Sequence, residues 1–187
     1  TVPTASVTTA PPTISASSAG TNTTTLTVTY ADTAGIDTTS FAKTNLTVSN
    51  NATVDSITVN GNAVTYTIKA PQATWGTSTQ GTYTIGLAAN QVKDLAGNYV
   101  AANASLATFK VDTAVPTASV TTSVPPITAS NASENTTTLT VTYSDSGLGL
   151  DTNSLKTSNL TVDKGATVTA VSANGNVVTY TIKAPQA

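Results

Sequence analysis

Two stretches decide the fold: Thr23-Thr-Thr-Leu-Thr-Val-Thr-Tyr30, and Asn60-Gly-Asn-Ala-Val-Thr-Tyr-Thr-Ile-Lys69. In the first, Leu26, Val28 and Tyr30 alternate with Thr25, Thr27 and Thr29. In the second, Val64, Tyr66 and Ile68 alternate with Thr65 and Thr67. A period of two in β-branched and aromatic residues marks strands with one buried face. Between Val59 and Ala63, Asn60-Gly61-Asn62 is a tight hairpin signal, and Asn-Gly suits the positive φ angles of a type I′ turn. Disorder is the competing reading of a chain so rich in Thr, Ser, Ala and Asn, and the alternation argues against it.

Both stretches return. TTTLTVTY recurs at Thr136–Tyr143, and NGNAVTYTIKAPQA (Asn60–Ala73) recurs as NGNVVTYTIKAPQA at Asn174–Ala187. TVPTASVTT (Thr1–Thr9) recurs as AVPTASVTT at Ala114–Thr122. The offset is 113 residues for the opening block and 114 for the closing one. Such a period is too long for a solenoid unit and right for a small domain. We divide the chain into repeat 1, residues 1–113, and repeat 2, residues 114–187.

Seven strands are expected in the first repeat, A to G: Thr4–Thr8, Thr24–Tyr30, Asn45–Ser49, Thr53–Val59, Ala63–Lys69, Thr82–Leu87 and Leu106–Val111. Pro11-Pro12 ends the first, because proline cannot donate to a ladder. Val54 and Ile57 break the alternation and imply a bulge or a change of sheet. Short strands without any helical pattern indicate an all-β sandwich. The second repeat supplies A to E and lacks F and G. Five large side chains of those strands, at about 1.5–3 kcal/mol each, match the whole stability of a domain, about 5–15 kcal/mol. The second repeat is therefore not expected to fold alone. Either the sequence is an excerpt of a longer chain, the preferred reading, or a neighbour donates the strands.

The chain has no Cys, His or Met, and its basic residues are all Lys. No imidazole base, thiol nucleophile or His/Cys metal site exists, and the chain does not read as an enzyme. Charged residues make up 9% and the net charge is −2, which disfavours nucleic acid as a partner. No apolar run reaches membrane-spanning length.

Ala70-Pro71, Thr74-Trp75, Gly81-Thr-Tyr-Thr84, Val92, Asp94, Gly97-Asn98 and Thr108-Phe109 with Val111-Asp112-Thr113 follow a pattern that resembles the bacterial immunoglobulin-like repeats of large surface and secreted proteins. The B strand running into an acidic loop, VTYADTAGID and VTYSDSGLGLD, is also similar. The resemblance implies tandem immunoglobulin-like seven-stranded sandwiches in an adhesin, surface layer or filament. It implies an extracellular, cell-surface structural module whose partners are copies of itself or further repeats. The alternative is an adhesin module binding glycans or a host surface, with Trp75 and the tyrosines as platform.

In that topology the B–C, D–E and F–G loops lie where strand A starts. Asp32, Asp37 and Asp94 fall there in the first repeat. Asp145 and Asp151 fall in the second repeat's B–C loop, near the entry of Asp112. Converging carboxylates suit calcium, which wants six to eight oxygens, and the related repeats use calcium to stiffen joints. The other reading is that Asp-Thr-Ala-Gly and Asp-Ser-Gly are turns in which Asp caps its own loop.

Asn22, Asn45, Asn51, Asn103, Asn131, Asn135 and Asn159 each open an N-x-S/T sequon. A chain rich in Asn, Ser and Thr also makes sequons by chance. Rows of Thr are a remote match to an ice-binding lattice and suit an exposed strand face better. An isopeptide crosslink through Lys43, Lys69 or Lys110 needs a buried Lys beside Asn and an acid. Trp75 is expected to cap the core rather than bind sugar.

Overall fold

The computed structural model describes residues 1–130 and 133–185. The chain divides into two compact units, Thr1–Ala114 and Val115–Ala187.

The first unit is a two-sheet sandwich. Its strands are β1 (Thr4–Thr9), β2 (Ile14–Ser15), β3 (Thr23–Ala31), β4 (Leu46–Val48), β5 (Thr53–Asn60), β6 (Ala63–Lys69), β7 (Gly81–Leu87) and β8 (Asn103–Asp112). One sheet runs β1-β3-β6-β5 and the other β2-β8-β7-β4. With the expected letters this is A-B-E-D against G-F-C, the constant-type immunoglobulin order. β2 is the added element. The chain leaves β1 at Pro11-Pro12, crosses to the second sheet, and pairs Ile14 in parallel with Val111 of β8.

Alternation in the sequence becomes alternation in burial. Leu26, Val28 and Tyr30 of β3 and Val64, Tyr66 and Ile68 of β6 are buried, and the threonines between them are not. The other wall is Tyr83, Ile85, Leu87, Phe109 and Val111. At Gly86 of β7 there is no room for a side chain: a Cβ there would stand 2.8 Å from the Thr47 hydroxyl and 3.2 Å from the Ala104 carbonyl oxygen.

The expected bulge is present, with a register shift between Val54 and Ser56 against β6. The hairpin differs in detail. Asn60 pairs with Ala63, so the loop residues are Gly61 and Asn62. Gly61 has φ +57° and Asn62 stays out of the left-handed region, the pattern of a type II′ turn, in which Gly takes the first loop position, rather than type I′.

The second unit holds β9 (Thr117–Thr122), β10 (Thr136–Ser144), β11 (Thr167–Asn174) and β12 (Val177–Lys183) in one sheet, ordered β11-β12-β10-β9. It reproduces A, B, D and E, and its register matches: Leu139 faces Tyr180 and Val141 faces Val178, as Leu26 faces Tyr66 and Val28 faces Val64. Strand C was expected here and does not form among the described residues. The reason lies in the first unit, where β4 pairs with β7 alone. Without an F strand beside it, the segment after Asn159 has no ladder to join.

Candidate functional site

The acidic loops gather at one end of the first unit, where β1 begins. The B–C and F–G loops are zipped by backbone bonds from Asp37 N to Lys93 O (3.0 Å) and from Leu95 N to Gly35 O (3.0 Å), and by a bridge between Ile36 and Asp94. The D–E hairpin joins them, since Tyr30 N donates to Asn62 O at 3.0 Å.

Each carboxylate here is already occupied. Asp94, almost fully buried, accepts from Asn98 N on Oδ1 and from Asn98 Nδ2 on Oδ2, both at 2.8 Å. The same Asn98 amide donates to the Thr1 carbonyl at 3.2 Å. Asp32 accepts from the Thr1 hydroxyl at 2.6 Å and from Ala34 N at 2.7 Å. Asp37 accepts from Thr39 N (3.0 Å) and from its hydroxyl (2.6 Å), and pairs with Lys93 at 3.5 Å. These donors hold all three acids below the usual carboxylate range. The leading causes are the Thr1 hydroxyl for Asp32, the Thr39 hydroxyl for Asp37 and the Asn98 side chain for Asp94. Asp32 and Asp94 are close enough that the charge of Asp94 opposes ionisation of Asp32.

Of the other three acids singled out in the sequence, Asp112 ends β8 and Asp145 and Asp151 lie in loops. Asp112 accepts from Ala114 N at 3.2 Å in the first unit. In the second, Asp145 accepts from Gly147 N (2.7 Å) and Gly149 N (3.2 Å), and Asp151 accepts from Asn153 N (3.0 Å). Among the described residues, no group of three or more His, Cys, Asp or Glu is placed to hold a metal ion.

Trp75 is fully buried as a core cap. It meets Tyr83 and Phe109 edge to face, with ring centroids 5.1 and 5.5 Å away. Tyr30, Tyr66, Tyr83 and Tyr180 are also buried, and the exposed aromatic among the described residues is Tyr99, at 43%. The aromatic platform that a glycan-binding module would need is thus turned inward. Lys43, Lys69 and Lys110 are all exposed, which removes the buried lysine that an isopeptide crosslink requires.

The sequons divide. Asn22, Asn51, Asn103, Asn135 and Asn159 are exposed, and Asn131 lies outside the described residues. Asn45 is buried: its amide donates to Ser40 O at 3.1 Å and its carbonyl accepts from Ala42 N at 2.6 Å. A glycan on Asn45 is incompatible with the folded unit. The sequence signal was local and did not report that this Asn closes a turn beneath the core.

Among the described residues no helix is long and apolar enough to cross a membrane. No family model matches the chain, and no curated protein does. Among solved structures the chain is similar to invasin, a bacterial integrin-binding protein, at 14% identity and a TM-score of 0.38. The similarity covers 98% of this chain and 34% of that one, so the chain spans about a third of the protein it is compared with.

Proposed function

We propose that this chain is a run of extracellular structural modules, immunoglobulin-like sandwiches in tandem, serving as the spacer of a cell-surface stalk or filament. The carrying observation is what the two units have in common. The Leu26–Tyr66 and Val28–Val64 pairs recur as Leu139–Tyr180 and Val141–Val178 in the same register. Repetition thus maintains a framework, while the aromatic rings that would recognise a ligand serve as its filling. The linker Val111-Asp-Thr-Ala-Val-Pro116 contains no Gly and includes a φ-restricted proline, which favours a stiff joint. Small-angle scattering of the chain tests the reading. An extended particle is the expected result, and a compact, folded-over pair overturns it.

Calcium at the loop end of the first unit where β1 begins belongs to the proposal as a stiffener that would draw Asp32, Asp37 and Asp94 together, since the three are not placed as an ion-holding group without it. The ion would have to take oxygens that now hold Thr1, Ala34, Thr39 and Asn98. A metal that binds only the folded form raises its melting temperature by mass action, so a melt unchanged by chelator removes calcium from the reading and leaves the spacer intact.

A further inference from the structure

In the first unit one sheet ends at β1, and in the second the sheet ends at β9. These two edge strands share the sequence Thr-Ala-Ser-Val-Thr-Thr and carry no charge. Exposed edges are templates for further strands, and proteins usually blunt them. The first unit blunts its others: β5 carries Asp55 and a bulge, β4 is three residues long and β2 two. The bulge in β1 falls after Val7, so residues 4–7 keep a regular register against β3. Among the described residues β9 pairs with β10 alone, although the whole first unit precedes it in the chain. The open edge is thus a property of the strand and not of what comes before it.

Hydrogen bonds reveal which backbone groups face that edge. The Thr4 hydroxyl donates to Ala31 O and the Ser6 hydroxyl to Thr29 O, both at 3.3 Å, so those carbonyls point at β1. Tyr30 N, between them, donates away from β1, to Asn62 O. In an antiparallel pair, alternate residues turn both backbone groups to the same side. Thr4 and Ser6 therefore bond to β3, and Ala5 and Val7 turn their N–H and C=O outward. The second unit repeats the arrangement. The Ser119 hydroxyl donates to Thr142 O at 3.3 Å, Tyr143 N donates to Asn176 O at 2.9 Å, and Ala118 and Val120 face the edge. On the inner side of the first unit, a groove of about 420 Å³ opens beside Ala5, walled by Val2, Leu87, Val100 and Leu106.

We propose that β1 and β9 are self-pairing edges, through which one copy of this chain binds a second copy side by side. A two-fold axis at Ser6 sets Ala5 of each copy against Val7 of the other, so their outward groups exchange N–H···O bonds in both directions. Val7 of the second copy then lies next to the groove beside Ala5, and the two Ser6 side chains meet on the outer face. No charge on the strand opposes an identical strand, and the shared sequence lets β1 pair with β1 or with β9. Few residues take part, so a single contact is weak. A chain that carries the edge in both units multiplies it. The inference concerns the side of the sheet and stands apart from the spacer reading, since particle shape and association are measured separately.

Sedimentation velocity of the whole chain over a concentration series, with amide exchange at each concentration, tests this. Reversible association is expected, with exchange slowed at Ala5, Val7, Ala118 and Val120 and no further slowing at Thr4 or Ser6. Ala5→Pro combined with Ala118→Pro removes outward N–H groups and keeps the bonds to β3 and β10, and proline is accepted on edge strands. This pair should weaken association by about tenfold or more. If the proline chain folds badly, Ser6→Lys with Ser119→Lys sets like charges opposite each other, and association should fall at low salt and recover at high salt. Thr25→Lys with Thr138→Lys, on the exposed faces of β3 and β10, should leave association unchanged. A chain that stays monomeric overturns the proposal, as does association without slowed exchange at Ala5 and Val7. Lysines on β3 and β10 as disruptive as those on β1 and β9 also overturn it. So does an unrelated extended peptide that slows the same amides as well as a second copy does, since the edge would then accept any strand.

Discussion

The hydroxyls of Tyr30 and Tyr66 meet 2.8 Å apart inside the first unit, and the Tyr66 hydroxyl also donates to Asn45 Oδ1 at 3.2 Å. The proton order follows: Tyr66 spends its hydrogen on Asn45, so Tyr30 donates to Tyr66. The network joins β3, β6 and the turn before β4 through buried polar atoms. Tyr143 and Tyr180 repeat the pair at 2.8 Å in the second unit.

This order predicts an asymmetry. Tyr66→Phe deprives Tyr30 of its acceptor and Asn45 of a donor, and should cost about 1–3 kcal/mol, the penalty for stranding buried polar groups. Tyr30→Phe leaves the Tyr66–Asn45 bond in place and should cost less. Urea unfolding of the two variants measures the difference, and equal losses would refute the assigned donor order.

Alkaline pH should act on the same groups. Burial raises the Tyr30 and Tyr66 hydroxyls, and burial followed by the bond to Tyr143 pushes Tyr180 up to about 12. A raised folded value stabilises fully below the unfolded value of about 10 and is lost as pH rises through the folded one. Melting temperature should therefore fall once pH exceeds about 10. In a Tyr99→Phe background, which removes the exposed phenol, absorbance of tyrosinate from the buried rings should rise together with unfolding rather than before it.

Acid should destabilise the first unit by the opposite linkage. Asp32, Asp37 and Asp94 are held low by their loop donors. Their contribution is present above the unfolded carboxylate value and lost as pH falls through the lower folded values, so melting temperature should decline below about pH 4. Asp94→Asn removes one of the three acids and should flatten that decline. The same melts with and without EDTA at neutral pH test calcium: a lowered melting temperature supports an ion at Asp32, Asp37 and Asp94, and an unchanged one refutes it.

The strands were legible because each carries its own period. Leu26, Val28 and Tyr30, with Val64, Tyr66 and Ile68, place both β3 and β6 and the face they bury. Even the bulge was readable from Val54 and Ile57. β2 was not, because two residues, Ile14 and Ser15, cannot show a period and their pairing with β8 is set by the fold. The missing strand in the second unit has the same origin: strand C is specified by its neighbour in the first unit, β7, more than by its own residues. For the loop acids the sequence showed proximity in the fold, namely Asp32 and Asp94 at one end. It did not show their hydrogen-bond partners: Thr1 reaches Asp32 by tertiary placement, and Asn98 meets Asp94 through the closing of the short turn between them. Asn45 is the sharpest case: the sequon reads as surface and the fold makes it core.

Glycan mapping after expression in a host that modifies asparagine should separate the sequons accordingly. Occupancy is expected among exposed Asn22, Asn51, Asn103, Asn135 and Asn159, and not at Asn45. Asn45→Asp should destabilise the first unit, because an ionised carboxylate would lose the amide donation to Ser40 O. Finding a glycan on Asn45 in folded, protease-resistant protein would overturn the buried assignment.

Trp75 gives the last prediction. Its indole packs edge-on against Tyr83 and Phe109, which are stacked with centroids 5.0 Å apart, and its Nε1 is buried without a hydrogen-bond partner. The ring therefore stabilises by volume and edge contacts rather than by its N–H. Trp75→Ala should cost about 3–5 kcal/mol, the range for emptying an aromatic site in a core. Trp75→Phe keeps most of the volume and removes an N–H that is not bonded, so it should cost less than half as much. Near-ultraviolet circular dichroism across a urea titration follows the first unit's aromatic cluster. Amide signals of β10 and β12 serve as the internal reference, since the second unit has no tryptophan of its own. A Phe variant as unstable as the Ala variant would mean that the indole N–H is engaged after all, and the packing account of this site would fail.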